Sequence, residues 1–165
     1  MFEDDENDMP NYKTLPIFLK GREISDVANR IGDLIPEDDL HLQDIKGRMM
    51  VDAAQLYIKV AGAVSGGLYD IKMEAASIIR KSAHDLILNY HSLKMFGFKE
   101  VEYFNIVRDL VEEYRLLFID WVAGFDKWNY CIDRWGLFNP PGVGPFDKDP
   151  DDDIPFDGNF FDGLD

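Results

Sequence analysis

The sequence has few basic residues: 17 lysines and arginines stand against 32 acidic residues, and the formal net charge of the 165-residue chain is -15. It has one cysteine, Cys131, which cannot form an internal disulfide and so favours a reducing compartment. It has no run of the roughly 20 apolar residues that a membrane span requires. Its first residues, MFEDDEND, are acidic where a targeting segment would be basic. These absences predict a cytoplasmic protein that is neither exported nor embedded in a membrane.

The negative charge is concentrated at the two ends of the chain. Residues 1–10 carry five acids and no base, and residues 140–165 carry eight acids against Lys148. Residues 11–139 carry nineteen acids and sixteen bases, a balance typical of an ordinary folded domain. The ends and the body of the chain are therefore interpreted separately.

Apolar residues recur at intervals of three and four through most of the body, which is the period of an amphipathic helix. The spacing predicts four helices: 20–35, a second helix that follows the acidic residues 37–39 and ends at about 65, 68–96, and 99–135. We find no strand pattern. The expected fold is all-α, an antiparallel four-helix bundle with a long C-terminal helix and an irregular acidic tail. The expected organisation is an acidic N-terminal segment (1–18), the bundle (19–138) and a tail rich in Pro, Gly, Asp and Phe (139–165).

The pair Gly66-Gly67 leaves two topologies open. Glycine breaks helices, so the pair is interpreted as a tight turn between the second and third helices. Glycine within a helix costs only about 1 kcal/mol, however, so a single helix from Leu42 to Phe96 is the alternative.

The second helix is apolar on more than one side. Beside its core stripe it carries a second apolar set, Val51, Ala54, Ile58 and Ala61. A helix with two apolar faces has to be covered on both, which predicts self-association. The alternative is that this helix lies at the centre of the bundle and that the two tails cover the rest of it. On a flank of the third helix, His84 and His91 are predicted to join the interface.

The predicted fourth helix would extend beyond its neighbours, and its last turns carry Trp128, Ile132 and Trp135. This is a large aromatic area to leave in water, so these residues are also assigned to an interface. The alternative is that segments of the same chain, 12–19 or 137–146, cover them. The tail interleaves acids with large apolar residues, whereas solvating tails are poor in aromatics. We therefore expect it to dock, either on its own bundle or on a protein partner, through Phe146, Phe156, Phe160 and Phe161.

No residue pattern indicates an enzyme, a cofactor or a resident metal. His84 and His91 are seven apart, whereas two ligands of one metal on a helix are usually three or four apart. The Asp147-x-Asp149-x-Asp151 run resembles the first half of a calcium loop but lacks its glycine and its final acid, so calcium binding stays open beside a solvated acidic tail. No catalytic triad or phosphate loop occurs. Arg80-Lys81 is the one adjacent basic pair in the sequence, so no nucleic-acid partner is expected.

The order of a short helix, a long helix ending in a small-residue turn and two further long helices, over about 20–125, resembles a bacterial family. These are the four-helix-bundle proteins encoded by ribosomal-RNA intervening sequences, which include the accessory variability determinant of diversity-generating retroelements. The stretch Ile58-Lys59-Val60-Ala61-Gly62 is similar to the end of that family's second helix, although the family's glutamate is absent. The resemblance implies a ring-shaped oligomer that binds nucleic acid through basic surface, and the acidic balance of this chain departs from that pattern.

Together these patterns predict a non-enzymatic, cytoplasmic helical-bundle protein that self-associates and acts as a scaffold or adaptor. Its contacts are expected on the apolar helix faces and in the acidic, aromatic tail. The alternative is a nucleic-acid-associated accessory protein of the intervening-sequence type.

Overall fold

The computed structural model describes residues 11–150, which form four α-helices and two 3-10 helices and contain no strand. The all-helical fold is therefore confirmed for this part of the chain. Phe156, Phe160 and Phe161 lie outside the described residues. The α-helices are α1 Pro16–Gly32, α2 Leu40–Ser65, α3 Tyr69–Met95 and α4 Phe104–Ala123, and the 3-10 helices are Tyr12–Thr14 and Val101–Tyr103.

The first helix begins four residues earlier than its periodicity predicts. Pro16 occupies its first turn, where the missing N–H of proline costs nothing and its fixed φ favours the helix. The next helix, α2, begins at an acidic cap as expected. The Asp39 carboxylate accepts a hydrogen bond of 3.0 Å from the backbone N–H of Leu42.

The turn at Gly66-Gly67 is confirmed, and the single long helix is wrong. Helix α2 ends at Ser65 and α3 starts at Tyr69. The turn is held by Asn129, whose side-chain amide donates to the Gly67 carbonyl at 2.9 Å and whose own carbonyl accepts from the Tyr69 N–H at 2.8 Å. A Cβ on Gly67 would lie 2.9 Å from that amide nitrogen, so a larger residue would displace the clamp.

The four helices pack against one another: α2 contacts α1 and α3, and α4 contacts the same two helices. Helices α1 and α2 run in opposite directions, since Gly21 lies beside Leu56 and Gly32 beside Met49. The side chain of Tyr114 on α4 reaches across to α2 and donates a 2.7 Å hydrogen bond to the Leu56 carbonyl. The predicted core stripe of α2 is buried throughout, namely Ile45, Met49, Ala53, Leu56, Val60 and Ala63. Leu42 in its first turn is buried as well.

The predicted long C-terminal helix is wrong. Helix α4 ends at Ala123 and has 20 residues, fewer than α2 or α3. Beyond Gly124 the apolar spacing continues, but aspartate side chains bind the backbone N–H groups that a helix would use. Asp126 accepts from the Trp128 N–H at 2.9 Å, for example, which favours a turn. The overhang expected at the end of this helix therefore does not occur.

The segment 124–150 is an irregular loop organised by Asp133 and Arg134. The Asp133 carboxylate accepts from three backbone N–H groups, those of Trp135, Leu137 and Phe138, at 2.8 to 2.9 Å. These hydrogen bonds, that from Phe138 above all, lower the pKa of Asp133. The Arg134 guanidinium donates to the carbonyls of Pro145 and Asp147. The loop is thus fixed by its own polar side chains.

Candidate interaction surface

The four residues Val51, Ala54, Ile58 and Ala61, here named the α2 face, lie on the solvent side of α2. Val51 is 60% exposed and Ile58 51% exposed, whereas Ala54 and Ala61 are half-buried. Helix α2 packs against α1 and α3, so its own chain covers part of this face. The two larger apolar side chains are nevertheless left in water, seven residues apart on the same side of the helix.

A groove of about 900 Å³ runs between α1 and α2, and Ile58 and Ala61 line it. Its far end is formed by an aromatic cluster in which Phe18 packs edge-on against Tyr12 and Tyr57, with ring centroids 5.1 and 5.8 Å away. The rim carries both signs of charge. Its lining includes Lys13, Arg22, Glu23, Asp26 and Arg30.

A second groove, between α2 and α3, is bordered by Val51 and by Leu88, which is also more than half exposed. Asp52 lies in this groove, and burial, followed by the nearby Asp85 carboxylate, raises the pKa of Asp52. The buried side-chain nitrogen of Asn89, which also lines the groove, has no hydrogen-bond partner among the described residues. A protein surface that covered this groove would therefore contact the apolar side chains of Val51 and Leu88 and the unpaired N–H donor of Asn89.

The two predicted interface histidines are both exposed on α3. His91 packs edge-on against the ring of Tyr90 at 5.3 Å, and His84 lines a third groove between α3 and α4. They do not share a site. Within residues 11–150 no group of three or more His, Cys, Asp or Glu side chains is arranged to hold a metal ion.

The residues beyond α4 that were predicted to make contacts differ in their exposure. Trp128, Trp135 and Phe146 are almost fully exposed, so they remain available for contact. Ile132 is 8% exposed and lies inside the loop, where Asp149 accepts a hydrogen bond from its backbone N–H at 3.3 Å. The chain itself therefore covers Ile132, which leaves little of its side chain for a neighbouring subunit. The assignment of Ile132 to an interface assumed a helix in which it would share one face with the two tryptophans.

Sequence reasoning missed Leu88 as a member of this surface. Helix periodicity places it outside the core stripe of α3, but only the pairing of α2 with α3 brings it opposite Val51. The loop-organising role of Asp133 was also missed. Its signal is the run of Asp133, Gly136 and Asn139, residue types that favour turns.

No known protein family, curated protein or solved structure matches this chain. The resemblance to the intervening-sequence proteins therefore stays a prediction. No helix in the described part of the chain combines the length and the apolar character needed to cross a membrane.

Proposed function

We propose that this protein is a non-enzymatic, cytoplasmic scaffold or adaptor that self-associates through the α2 face. The observation that carries the proposal is the exposure of Val51 and Ile58 on the same side of α2. Large apolar side chains gathered beside grooves are typical of protein interaction sites. The opposite chain order of successive helices supports the antiparallel bundle as the scaffold that presents this surface.

The charges around Val51 and Leu88 favour a second copy of the chain as the partner. Arg48 pairs with Asp44 at 3.0 Å on α2, and Lys81 pairs with Asp85 on α3. The border of the surface therefore carries charges of both signs, with Asp44 and Asp85 each paired to a base and Asp52 as a further acid. A surface of both signs can be complementary to itself, as a two-fold interface requires.

The test is the mass of the full chain in solution, measured by light scattering at micromolar concentration. We expect a mass above the 19.0 kDa of one chain. The variant Ile58→Asp should return the mass to that of one chain, because a carboxylate at the centre of the contact would be desolvated without a partner. Since Ile58 is half exposed in the single chain, circular dichroism should show unchanged helix content.

The matched control is Leu116→Asp. Leu116 lies on α4, is 55% exposed and lines neither groove of the α2 face. This variant should keep the mass of the unsubstituted protein. A mass of one chain for the unsubstituted protein, or equal dissociation of both variants, would contradict the proposal.

A further inference from the structure

The seam between α3 and α4 contains an apolar groove that no described residue fills. These two helices pack less closely than the other pairs that share a seam. The groove measures about 380 Å³ and is lined by residues of α3 and α4 alone, so the loop 124–150 does not cover it. Clefts that bind apolar groups run from roughly 300 to 1,000 Å³, and this groove is within that range.

The walls of the groove are apolar side chains that remain partly in water. Ala83 and Ile87 of α3 and Phe118 of α4 are half-buried against the main core. Ile119 of α4 is 50% exposed at the lower end. A ligand with apolar side chains would remove these residues from water, and that burial is the expected source of affinity.

The rim of the groove adds positive charge. Arg115 is paired with Glu112, its guanidinium nitrogen 2.5 Å from the carboxylate, so these two charges offset each other. Arg80 stands on the opposite rim and has no ion-pair partner among residues 11–150. His84 lies one turn further along the same helix. The groove therefore favours an occupant that is both apolar and acidic.

The last fifteen residues of the chain have that chemistry. Residues 151–165 contain six aspartates and no basic residue. Their apolar members are Ile154, Phe156, Phe160, Phe161 and Leu164. We propose that residues 151–165 dock in the α3/α4 groove of their own chain, with phenylalanine side chains in the cleft and aspartates near Arg80.

The chain is long enough for this contact. Asp149 accepts from the Ile132 N–H, and Ile132 is three residues from Asn129, which binds the start of α3 at Tyr69. Asp149 thus lies within about 20 Å of Tyr69, since three residues span at most about 11 Å. The near end of the groove, at Ile79, is about 15 Å further along α3. Eleven extended residues, the distance in sequence from Asp149 to Phe160, span up to about 38 Å.

The experiment is photo-crosslinking in the full chain, with Phe160 replaced by p-benzoylphenylalanine. After irradiation and digestion, mass spectrometry should place the crosslinks on residues 79–87 of α3 or 111–119 of α4, in a product with the mass of one chain. Crosslinks to the α1/α2 groove, to the loop 124–150 or to a second copy would overturn the proposal, as would the absence of crosslinked product.

A pair of variants on one helix tests whether the groove itself holds the segment. Ile119→Asp places a carboxylate in the groove, and the yield of the mapped crosslink should fall several-fold. The control is Ile106→Asp, because Ile106 is also 50% exposed on α4 but lines no part of this groove. Equal yields from the two variants, with helix content unchanged, would refute docking in the groove.

The same comparison can be made for charge with Arg80→Gln and Lys81→Gln. Both residues are exposed neighbours on α3, but only Arg80 lines the groove. The crosslink yield should fall for Arg80→Gln and stay the same for Lys81→Gln. The groove shares no residue with the α2 face. A failure of self-association would therefore not affect the crosslinking result, and a failure of the crosslink would not affect the test of self-association.

Discussion

Replacing Gly21 by alanine should destabilise the protein, although the same change in most helices stabilises it. Gly21 lies within α1, where alanine would add up to about 1 kcal/mol of helix propensity. A Cβ at this position, however, would lie 2.7 Å from the carbonyl oxygen of Leu56 and 2.9 Å from its carbon. Those atoms are backbone of α2 and cannot rotate away, so the two helices would have to separate.

The size of the effect follows from two costs and one gain. Forcing an extra methyl into a packed core costs about 1 to 3 kcal/mol. The Leu56 oxygen also accepts the 2.7 Å hydrogen bond of the buried Tyr114 hydroxyl, and disturbing such a bond costs about 1 kcal/mol. After subtraction of the propensity gain, Gly21→Ala should lower the free energy of unfolding by about 2 kcal/mol.

Denaturant melts of the full chain measure this quantity, and α2 supplies the controls. Gly47 and Gly62 lie in α2, and a Cβ at either position would meet no atom within 4 Å. Their alanine variants should be unchanged or gain up to about 1 kcal/mol. If Gly21→Ala gains stability as they do, the close approach of α1 to α2 is refuted. A double-mutant cycle with Tyr114→Phe should be non-additive, because both changes act on the Leu56 carbonyl.

Two further predictions concern other parts of the bundle. Trp121 packs edge-on against Phe125 at 4.8 Å and contacts both the main core and the smaller apolar cluster that contains Phe125. Trp121→Ala should therefore lower the free energy of unfolding by about 3 kcal/mol in denaturant melts. A loss below about 1 kcal/mol would show that this packing is absent. The pKa of Asp52 is raised in the fold, so its ionisation opposes folding as the pH rises from the unfolded value through the folded one. Asp52→Asn should therefore gain stability over the unsubstituted protein as the pH rises from 3 to 7, with the exposed Asp44→Asn as the control. A constant difference across that range would contradict the assignment.

The helices that were predicted well are those whose boundaries carry their own chemistry. Acidic residues precede α2 and Gly66-Gly67 follows it, so the local sequence alone places both ends. The core stripe of α2 was also predicted, because burial of one face at a period of 3.6 is a local property of the helix. The start of α1 was predicted late, because the proline in its first turn was not used as a signal.

The end of α4 shows where apolar spacing is misleading. The apolar spacing of residues 99–135 predicts Trp121 and Phe118 as core residues, and the structure places both half-buried against the core. Phe125 continues the pattern and is buried, but in a smaller cluster beyond the helix end. Spacing cannot distinguish a helix from a loop whose apolar residues return to the same cluster. The polar residues can, because Asp126 binds the backbone in a way that a helix does not permit.

The interaction surface was only half predictable for a related reason. The sequence shows that α2 carries more apolar residues than one core needs, and this surplus predicts Val51 and Ile58 as interface residues. Which of these residues the chain covers depends on α1 and α3, and the structure shows Ala54 and Ala61 half covered while the larger pair stays exposed. Leu88 belongs to the surface only because α3 lies beside α2.

Charge and apolar surface are distributed so that the two proposed contacts require different partners. The surface around Val51 carries charges of both signs and the additional acid Asp52, which suits a copy of itself better than a strongly acidic peptide. The α3/α4 groove has an unpaired arginine and a histidine on its rim, which suits the aspartates of residues 151–165. If residues 151–165 lay on the surface around Val51 instead, their aspartates would meet the acids of that surface. If a second copy lay on the α3/α4 groove, Arg80 would not meet the row of aspartates that suits it. If both proposed contacts form, the charge pattern would distinguish their partners, which apolar burial alone cannot do.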